Sequence, residues 1–388
     1  NGAPNKNHNT YAFTNAKIVV DWQTVIEKGT LLVKDGIILE AGDKINVPKG
    51  AVIYDLKGKA IYPSLIDVYT SYGMSEVKRA EHGRGVQMES STKGAYGWNQ
   101  AIKSETDASK NFTVDAKGAE EFRKMGFGTV NTFVKDGIAR GSSCVVTLGD
   151  ANENEIILVP KSCAMYSFDK GSSTQDYPSS LMGSIALIRQ TYLDAQWYRQ
   201  AKDKKEFNIS LDAWNNLQSF PQIFEVRDKL SVLRADKIGD EFKQQYIIKG
   251  AGDEYQRLDE IKNTFAKLIV PLSFPVTYDV EDPYDAMNIS LTEMKHWEMA
   301  PANLSFMEKK SIAFAITTSD LKDKKDFWKN LRKAIQYGLS EKAALKALTA
   351  APAEMLRIQD KVGALKKGMV ANFIITSGNL FNEKNIIY

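Results

Sequence analysis

Apolar and polar positions alternate with a period of two near both ends of the chain, and this alternation predicts β-strands. It occupies residues 16–20, 30–38, 52–61 and 362–375. Asp35 and Gly36 stand between two apolar runs and predict a hairpin, because a type I′ turn requires positive φ at both central residues. We therefore expect residues 11–60 and 361–388 to form one small β-sandwich that closes across the two ends of the chain.

The hydrophobic pattern changes between these ends, where apolar β-branched runs alternate with amphipathic helical patterns. Strands are predicted at residues 128–134, 222–226, 245–248, 268–273 and 312–317, and helices at residues 116–125, 184–199, 227–242, 327–337 and 341–348. Alternating strands and helices indicate βα units around a parallel sheet. A (β/α)8 TIM barrel typically takes ~250 residues. We therefore predict an α/β fold with such a barrel over residues 61–360.

Residues 62–73 (Y-P-S-L-I-D-V-Y-T-S-Y-G) open the predicted barrel. The apolar run is typical of a buried strand that brings polar side chains to the mouth of a sheet. Residues 75–115, rich in Gly, Ser and Lys, follow as a long irregular excursion. Long βα loops of a barrel lie at its catalytic face, so we expect this excursion to cover a site there.

The first predicted barrel strand also begins a series of family motifs. Pro63, Ile66 and Asp67 match the sequence Pro-Gly-x-Ile-Asp-x-His-x-His. Tyr69 and Ser71 stand at the positions of its two histidines. Later motifs follow in the same order, namely G-I-A-R-G at residues 137–141, Y-P-S-S-L-M-G at 177–183, L-T-A-A-P-A at 348–353, and G-A-L-K-K-G with A-N-F-I-I within 363–375. Over nearly its whole length the chain thus resembles the metal-dependent amidohydrolase superfamily, in particular imidazolonepropionase-like bacterial amidohydrolases.

This resemblance implies a hydrolase that acts on non-peptide C–N bonds with a divalent metal, typically zinc, at the barrel mouth. Such a metal lowers the pKa of its bound water and polarises the scissile carbonyl, and it needs several His, Asp or Glu ligands. The three histidines, His8, His82 and His296, fall at none of the family's ligand positions. Tyr69 and Ser71 are poor substitutes, because a phenol titrates near ~10 and a serine hydroxyl higher still.

Three further positions carry over from the family pattern. Glu225 aligns with the fifth-strand ligand, Lys249 lies near the sixth-strand ligand, and Asp320 matches the eighth-strand aspartate, which in the family is ligand and general base. Two of them have an ordinary alternative role. Asp320 is also suited to be the N-cap of a following helix, and Glu225 to be a carboxylate paired with Arg227 or Lys249. Asp320 and Glu225 alone would hold a hard cation weakly, with water completing its coordination.

Three hypotheses for the function follow. In the first, the barrel has lost its metal, needs no cofactor and is a catalytically impaired or accessory domain, partnered by a second amidohydrolase domain of the same polypeptide or by a second copy of itself. In the second, the chain is an active divergent hydrolase in which Asp320 and Glu225 hold zinc and Asp320 is catalytic. In the third, it is a non-catalytic barrel that binds a small ligand or a peptide. Candidates for the substrate-facing mouth are Tyr69, Ser71, Asp67 and Lys249.

Composition narrows the classes of partner and the location. With 51 Lys and Arg against 48 Asp and Glu, the formal net charge of +3 gives no electrostatic case for nucleic-acid or membrane binding. No apolar run approaches the roughly 20 residues that span a bilayer.

Cys144 and Cys163 predict free thiols or a single bridge. The polar, Asn-rich residues 1–10 and the resemblance favour a periplasmic or extracellular location over a cytoplasmic one, and residues 385–388 indicate that the polypeptide continues.

Overall fold

The computed structural model describes residues 9–78, 85–201 and 206–388. Over these ranges the strands are β1 (Thr10–Val19), β2 (Val25–Lys34), β3 (Ile37–Gly42), β4 (Val52–Asp55), β5 (Ala60–Pro63), β6 (Leu65–Thr70), β7 (Phe127–Thr132), β8 (Ala139–Ser142), β9 (Cys144–Thr147), β10 (Ile157–Val159), β11 (Ala164–Ser167), β12 (Gln222–Glu225), β13 (Tyr246–Lys249), β14 (Lys267–Pro271), β15 (Phe314–Thr317) and β16 (Phe373–Thr376).

The α-helices of the same ranges are α1 (Ala108–Asn111), α2 (Ala116–Lys124), α3 (Glu153–Ile156), α4 (Leu181–Gln200), α5 (Ile209–Leu217), α6 (Lys229–Phe242), α7 (Leu258–Asn263), α8 (Pro283–Asn288), α9 (Leu291–Met299), α10 (Asn303–Lys309), α11 (Phe327–Gln336), α12 (Glu341–Leu348) and α13 (Ala350–Met355). The helices predicted within residues 116–125, 184–199 and 227–242 are confirmed as α2, α4 and α6. Among the described helices, none is both long and apolar enough to cross a membrane.

The two ends of the chain share one six-stranded sheet, as the alternation predicts. Its order is β16-β5-β1-β2-β3, with β4 paired to β1, and β16 runs antiparallel to β5. The predicted hairpin joins β2 to β3, where Asp35 and Gly36 have φ angles of 51° and 74°. The second layer of the predicted sandwich is not confirmed, because the described strands of both ends belong to this single sheet. The sheet packs around an apolar core of its own.

The strands between these ends form two further sheets, one mainly parallel and the other mixed. One has the order β15-β14-β13-β12-β11-β8 and the other the order β10-β9-β7-β6. Neighbours from β11 to β15 are parallel, as are β6 and β7. Between these parallel strands the chain passes through helices, such as α6 between β12 and β13. The C-terminal ends of β11 to β15 therefore lie along one edge of their sheet, and barrel proteins place their sites at this end of the strands.

Asp67 links the outer strands β6 and β15 of these two sheets. Its carboxylate accepts hydrogen bonds from Thr317 Oγ1 at 2.6 Å, from Thr318 N at 2.8 Å and Oγ1 at 2.6 Å, and from Tyr69 N at 3.1 Å. Burial raises the pKa of Asp67, and these hydrogen bonds lower it only in part. The assignment of Asp67 to the substrate-facing mouth is therefore wrong, since its side chain is fully buried and bonded within the protein.

The two cysteines are buried free thiols, so the free-thiol alternative is confirmed. Burial raises the pKa of Cys144 to about 12 and that of Cys163 to about 11. A thiol with such a pKa is protonated at neutral pH and is therefore a poor nucleophile. Neither cysteine is a candidate for catalysis.

Candidate functional site

A cluster of charged side chains lies at the C-terminal ends of the parallel strands. Glu225 and Lys249 are the last residues of β12 and β13 and lie opposite each other in the parallel register. Asp320 follows the end of β15, and Lys135 follows the end of β7. We call the whole group the mouth cluster: Tyr69, Lys135, Arg140, Glu225, Lys249 and Asp320.

Glu225 is the central anion of the mouth cluster. Its carboxylate binds Arg140 Nη1 at 2.8 Å and Lys135 Nζ at 2.8 Å, and Lys249 Nζ lies 3.8 Å away. Burial would raise the pKa of Glu225, but the charges of Arg140, Lys135 and Lys249 outweigh it and lower the pKa to about 2. The salt-bridged alternative for Glu225 is thus confirmed with Lys249 as one partner, whereas Arg227 pairs with Asp169.

Arg140 holds three groups at once from a position inside the protein. Its side chain is only 3% exposed, and its Nη1 donates to Tyr69 Oη at 2.8 Å as well as to Glu225. Its Nε donates to the carbonyl of Gly137 at 3.0 Å. Burial raises the pKa of Tyr69 well above its ordinary value, so the phenol stays neutral and accepts this hydrogen bond.

Lys249 pairs with the second carboxylate of the mouth cluster, Asp320. The Lys249 side chain is 3% exposed, whereas that of Asp320 is 40% exposed. Asp320 has a φ of 65°, a left-handed conformation that costs a non-glycine residue roughly 1 kcal/mol. The N-cap alternative for Asp320 is wrong, because the next helical turn begins at Lys324 and is capped by Asp323.

Two cavities open onto the mouth cluster. The larger, of about 720 Å³, is lined by Tyr69, Ser71 and Lys135 among others. The smaller, of about 510 Å³, includes Lys249 in its lining. Lys135 and Asp320 line both cavities, and Arg140 and Glu225 line the smaller one only. The cluster therefore has room beside it for a small molecule.

The predicted site residues divide into two groups. Tyr69, Glu225, Lys249 and Asp320 come together in the mouth cluster, whereas Ser71 is exposed on the wall of the larger cavity. His296 lies in α9, where its Nδ1 is 3.2 Å from Tyr255 Oη. His8 and His82 lie outside the described residues.

Two members of the mouth cluster, Lys135 and Arg140, are absent from the predicted site. Arg140 had a signal, because it is the arginine of the G-I-A-R-G motif. Lys135 had a weaker one, its place just after a predicted barrel strand. Neither signal identifies the partner, since both side chains reach a glutamate that is far away in sequence.

The donor set of the mouth cluster does not fit a catalytic divalent metal. In the described part of the chain, no three His, Cys, Asp or Glu side chains lie close enough together to hold a metal ion. The Lys249 ammonium lies against both carboxylates that would remain as ligands, Glu225 and Asp320. Two unit charges 4 Å apart repel by about 4 kcal/mol at an effective dielectric constant of ~20. A divalent ion in this space would therefore have to displace the lysine.

Comparison with known proteins confirms the resemblance to the amidohydrolase superfamily. The amidohydrolase family model matches residues 243–387. An amidohydrolase from Thermotoga maritima MSB8 has a similar structure, with 20% identity, a TM-score of 0.75 and coverage of 97% of this chain and 96% of that one. No curated protein matches the chain in sequence.

Two further solved structures share the fold at lower similarity. A Xaa-Pro dipeptidase with bound methionine in its active site is 16% identical, with a TM-score of 0.54 and coverage of 96% of this chain and 95% of that one. A metal-dependent hydrolase from Pyrococcus furiosus is 13% identical, with a TM-score of 0.52 and coverage of 96% and 100%. The chain thus has the α/β fold of amidohydrolases, which contains a TIM barrel.

The depressed pKa of Glu225 predicts a specific loss of stability in acid. A carboxylate with a lower pKa in the folded than in the unfolded state stabilises the fold above its unfolded pKa and loses that contribution as the pH falls. The pKa of Glu225 falls from 4.5 to about 2 in the folded protein. Its contribution to the free energy of unfolding should therefore decrease by about 2 kcal/mol between pH 7 and pH 3. The stability difference between wild type and Glu225→Gln should therefore shrink by that amount from pH 7 to pH 3 in urea titrations.

The matched control for this prediction is Glu241→Gln, which removes an exposed carboxylate paired with Arg189. Exposed pairs of this kind contribute ~0–1 kcal/mol, so the pH dependence of this variant should follow that of the wild type. A difference between wild type and Glu225→Gln that stays constant over the pH range would contradict the proposed charge state of Glu225.

Proposed function

We propose that the chain is an amidohydrolase-type barrel that binds a small ligand at its mouth without a metal and has lost metal-dependent hydrolysis. The observation that carries this proposal is the Lys249 ammonium, which contacts both Glu225 and Asp320. It provides these carboxylates with the positive charge that a metal would otherwise supply. Two cavities beside the cluster give the ligand its space.

The composition of the mouth supports loss of the hydrolase chemistry. Metal-dependent hydrolysis needs an activated water and a polarised carbonyl, both of which come from the ion. Tyr69, at one position of the family's histidine pair, presents instead a neutral phenol that is bonded to Arg140. Binding by a fixed set of charged groups does not require these features.

An active divergent hydrolase is the second candidate function. It is favoured by Asp320, which lines both cavities and keeps a partly exposed carboxylate. The dipeptidase and metal-dependent hydrolase among the structural neighbours make this chemistry a natural comparison. In this alternative, Asp320 and Glu225 would hold the ion after Lys249 moved away.

Metal content separates the two candidates. Wild type expressed with excess zinc and manganese and then desalted should carry far less than one ion per chain in mass spectrometry, because Lys249 pairs with Asp320 while Arg140 and Lys135 pair with Glu225. Lys249→Gln should retain more metal than wild type, since it removes the cation beside both carboxylates while keeping a polar side chain. Near-stoichiometric metal in the wild type, lost in Asp320→Asn, would sink the metal-free proposal and favour the hydrolase.

We also propose that the two sheets that contain β6 to β15 close into a (β/α)8 barrel and that the terminal sheet is part of a sandwich. The hydrogen bonds of Asp67 to Thr317 and Thr318 support closure, because they join the two outer strands β6 and β15. Pairing of β16 with β5 supports a domain built from both ends of the chain.

A partner domain or a second copy of the chain remains part of the accessory proposal. The helices α8 and α9 contain no buried residue, and their exposed side chains include Tyr284, Met287 and Leu291. Exposed apolar patches of this kind are typical of interaction surfaces. They support a contact with another domain at this side of the fold.

A further inference from the structure

We propose that Lys249 is a nucleophile that forms an iminium (a protonated Schiff base) with an aldehyde or ketone bound at the mouth. The proposal rests on the metal-free function above and names its ligand class. Lys249 ends a parallel strand, is almost fully buried and lines the smaller cavity. Burial and neighbouring cations activate a lysine for Schiff-base chemistry, and here Lys135 and Arg140 bind the same Glu225 carboxylate that Lys249 contacts.

Asp320 supplies the proton transfer that this chemistry requires. The Lys249 ammonium cannot attack, so Asp320 first takes one of its protons and leaves a neutral amine. The amine nitrogen bonds to the carbonyl carbon as the C=O π bond opens, and one proton passes from this nitrogen to the oxygen to give a carbinolamine. Asp320 then returns its proton to the carbinolamine hydroxyl, the nitrogen lone pair forms the C=N bond, and the C–O bond breaks so that water leaves. One ammonium and one carbonyl thus become one iminium and one water, with no change in charge.

The surroundings of Lys249 suit the product as well as the resting lysine. An iminium carries the same single positive charge as the ammonium, so Glu225 and Asp320 keep a cation beside them throughout. The Tyr69 ring also stabilises a cation at this position, because its centroid lies 5.7 Å from Lys249 Nζ and ring faces attract cations. A neutral adduct would remove the cation that pairs with Asp320.

Lys135 is placed to assist at the carbonyl oxygen. Lys135 lines both cavities and its side chain is 41% exposed, although it also binds Glu225. Negative charge develops on the carbonyl oxygen when the amine attacks, and a nearby cation stabilises it. The cluster thereby contains a nucleophile, a proton acceptor and a cation for the oxygen.

Lys103 offers a matched control within the same chain. It also forms an ion pair with a buried carboxylate, that of Asp136, and it donates to Ser172 Oγ at 2.8 Å. It differs from Lys249 in its position, because it lines neither cavity of the mouth. Faster reaction at Lys249 than at Lys103 would therefore reflect the cavity and the cluster rather than pairing with an acid.

The test is reductive trapping with two probes, acetaldehyde and pyruvate, in the presence of cyanoborohydride at neutral pH. Intact-mass spectrometry should show one adduct per chain before others appear, and peptide mapping should place it at Lys249. Labelling of Lys249 should be at least ~10-fold faster than at Lys103, and Asp320→Asn should slow it by ~100-fold, the effect of losing a general base. Lys249→Arg should lose the first adduct while keeping the positive charge.

Two outcomes would overturn the proposal. Labelling of Lys249 at the rate of Lys103 or of surface lysines, in a chain whose urea midpoint is native, rules out an activated nucleophile. This wild-type comparison decides the matter even if a variant fails to fold. Metal content measured on the same sample separates the two proposals: a metal-free chain without the adduct sinks the iminium alone, whereas a metal-loaded chain sinks the metal-free function from which it follows.

Discussion

Arg140→Met is expected to lower the free energy of unfolding by about 3–4 kcal/mol, as removal of one partner from a buried ion pair does. The substitution keeps most of the volume but leaves Glu225, 13% exposed, without its buried guanidinium. It also leaves the buried Tyr69 hydroxyl without its donor. Lys135 still binds Glu225, which keeps the loss below the upper end of the range for buried pairs. Urea unfolding followed by circular dichroism measures the change.

The control for this prediction uses the same substitution at an exposed arginine. Arg227 pairs with Asp169 but is 80% exposed, so Arg227→Met should cost no more than ~1 kcal/mol. The double variant Arg140→Met/Glu225→Met should recover part of the loss, because no buried charge is then left unpaired. Equal losses for Arg140→Met and Arg227→Met would show that the buried pair adds nothing to stability.

Much of the fold could be predicted because its signals are local. Helix α2 begins and ends within a residue of its predicted bounds, since an amphipathic period and its flanking residues define it. The hairpin at Asp35 and Gly36 follows from turn chemistry alone. The second layer of the sandwich depends on packing between segments that are distant in sequence, and no local sequence pattern indicates such packing.

The mouth cluster was predicted only in part for the same physical reason. The family pattern brought Glu225, Lys249 and Asp320 to one mouth, and the parallel register places the first two side by side. It did not reveal that Lys249 contacts both carboxylates, because ion pairing depends on side-chain direction. The left-handed backbone of Asp320 is equally impossible to infer from composition or periodicity.

Asp67→Ala is expected to cost about 4 kcal/mol of stability, the largest single effect predicted for this chain, because buried donors that lose their acceptor cost ~1–3 kcal/mol each. The change orphans the Thr318 hydroxyl and the amides of Thr318 and Tyr69. The Thr317 hydroxyl is spared, since it also lies 3.1 Å from the carbonyl of Tyr69. Equilibrium unfolding in urea gives the loss.

A double-mutant cycle with Thr318→Val shows whether this cost comes from the link between β6 and β15. The Thr318 hydroxyl donates to Asp67, so removing it alone should cost ~1–2 kcal/mol, and removing it after Asp67→Ala should cost much less. Additive losses would mean that Asp67 acts through packing and not through this bond. A strong coupling, in contrast, would show that Asp67 has a structural role in this chain, joining β6 to the end of β15.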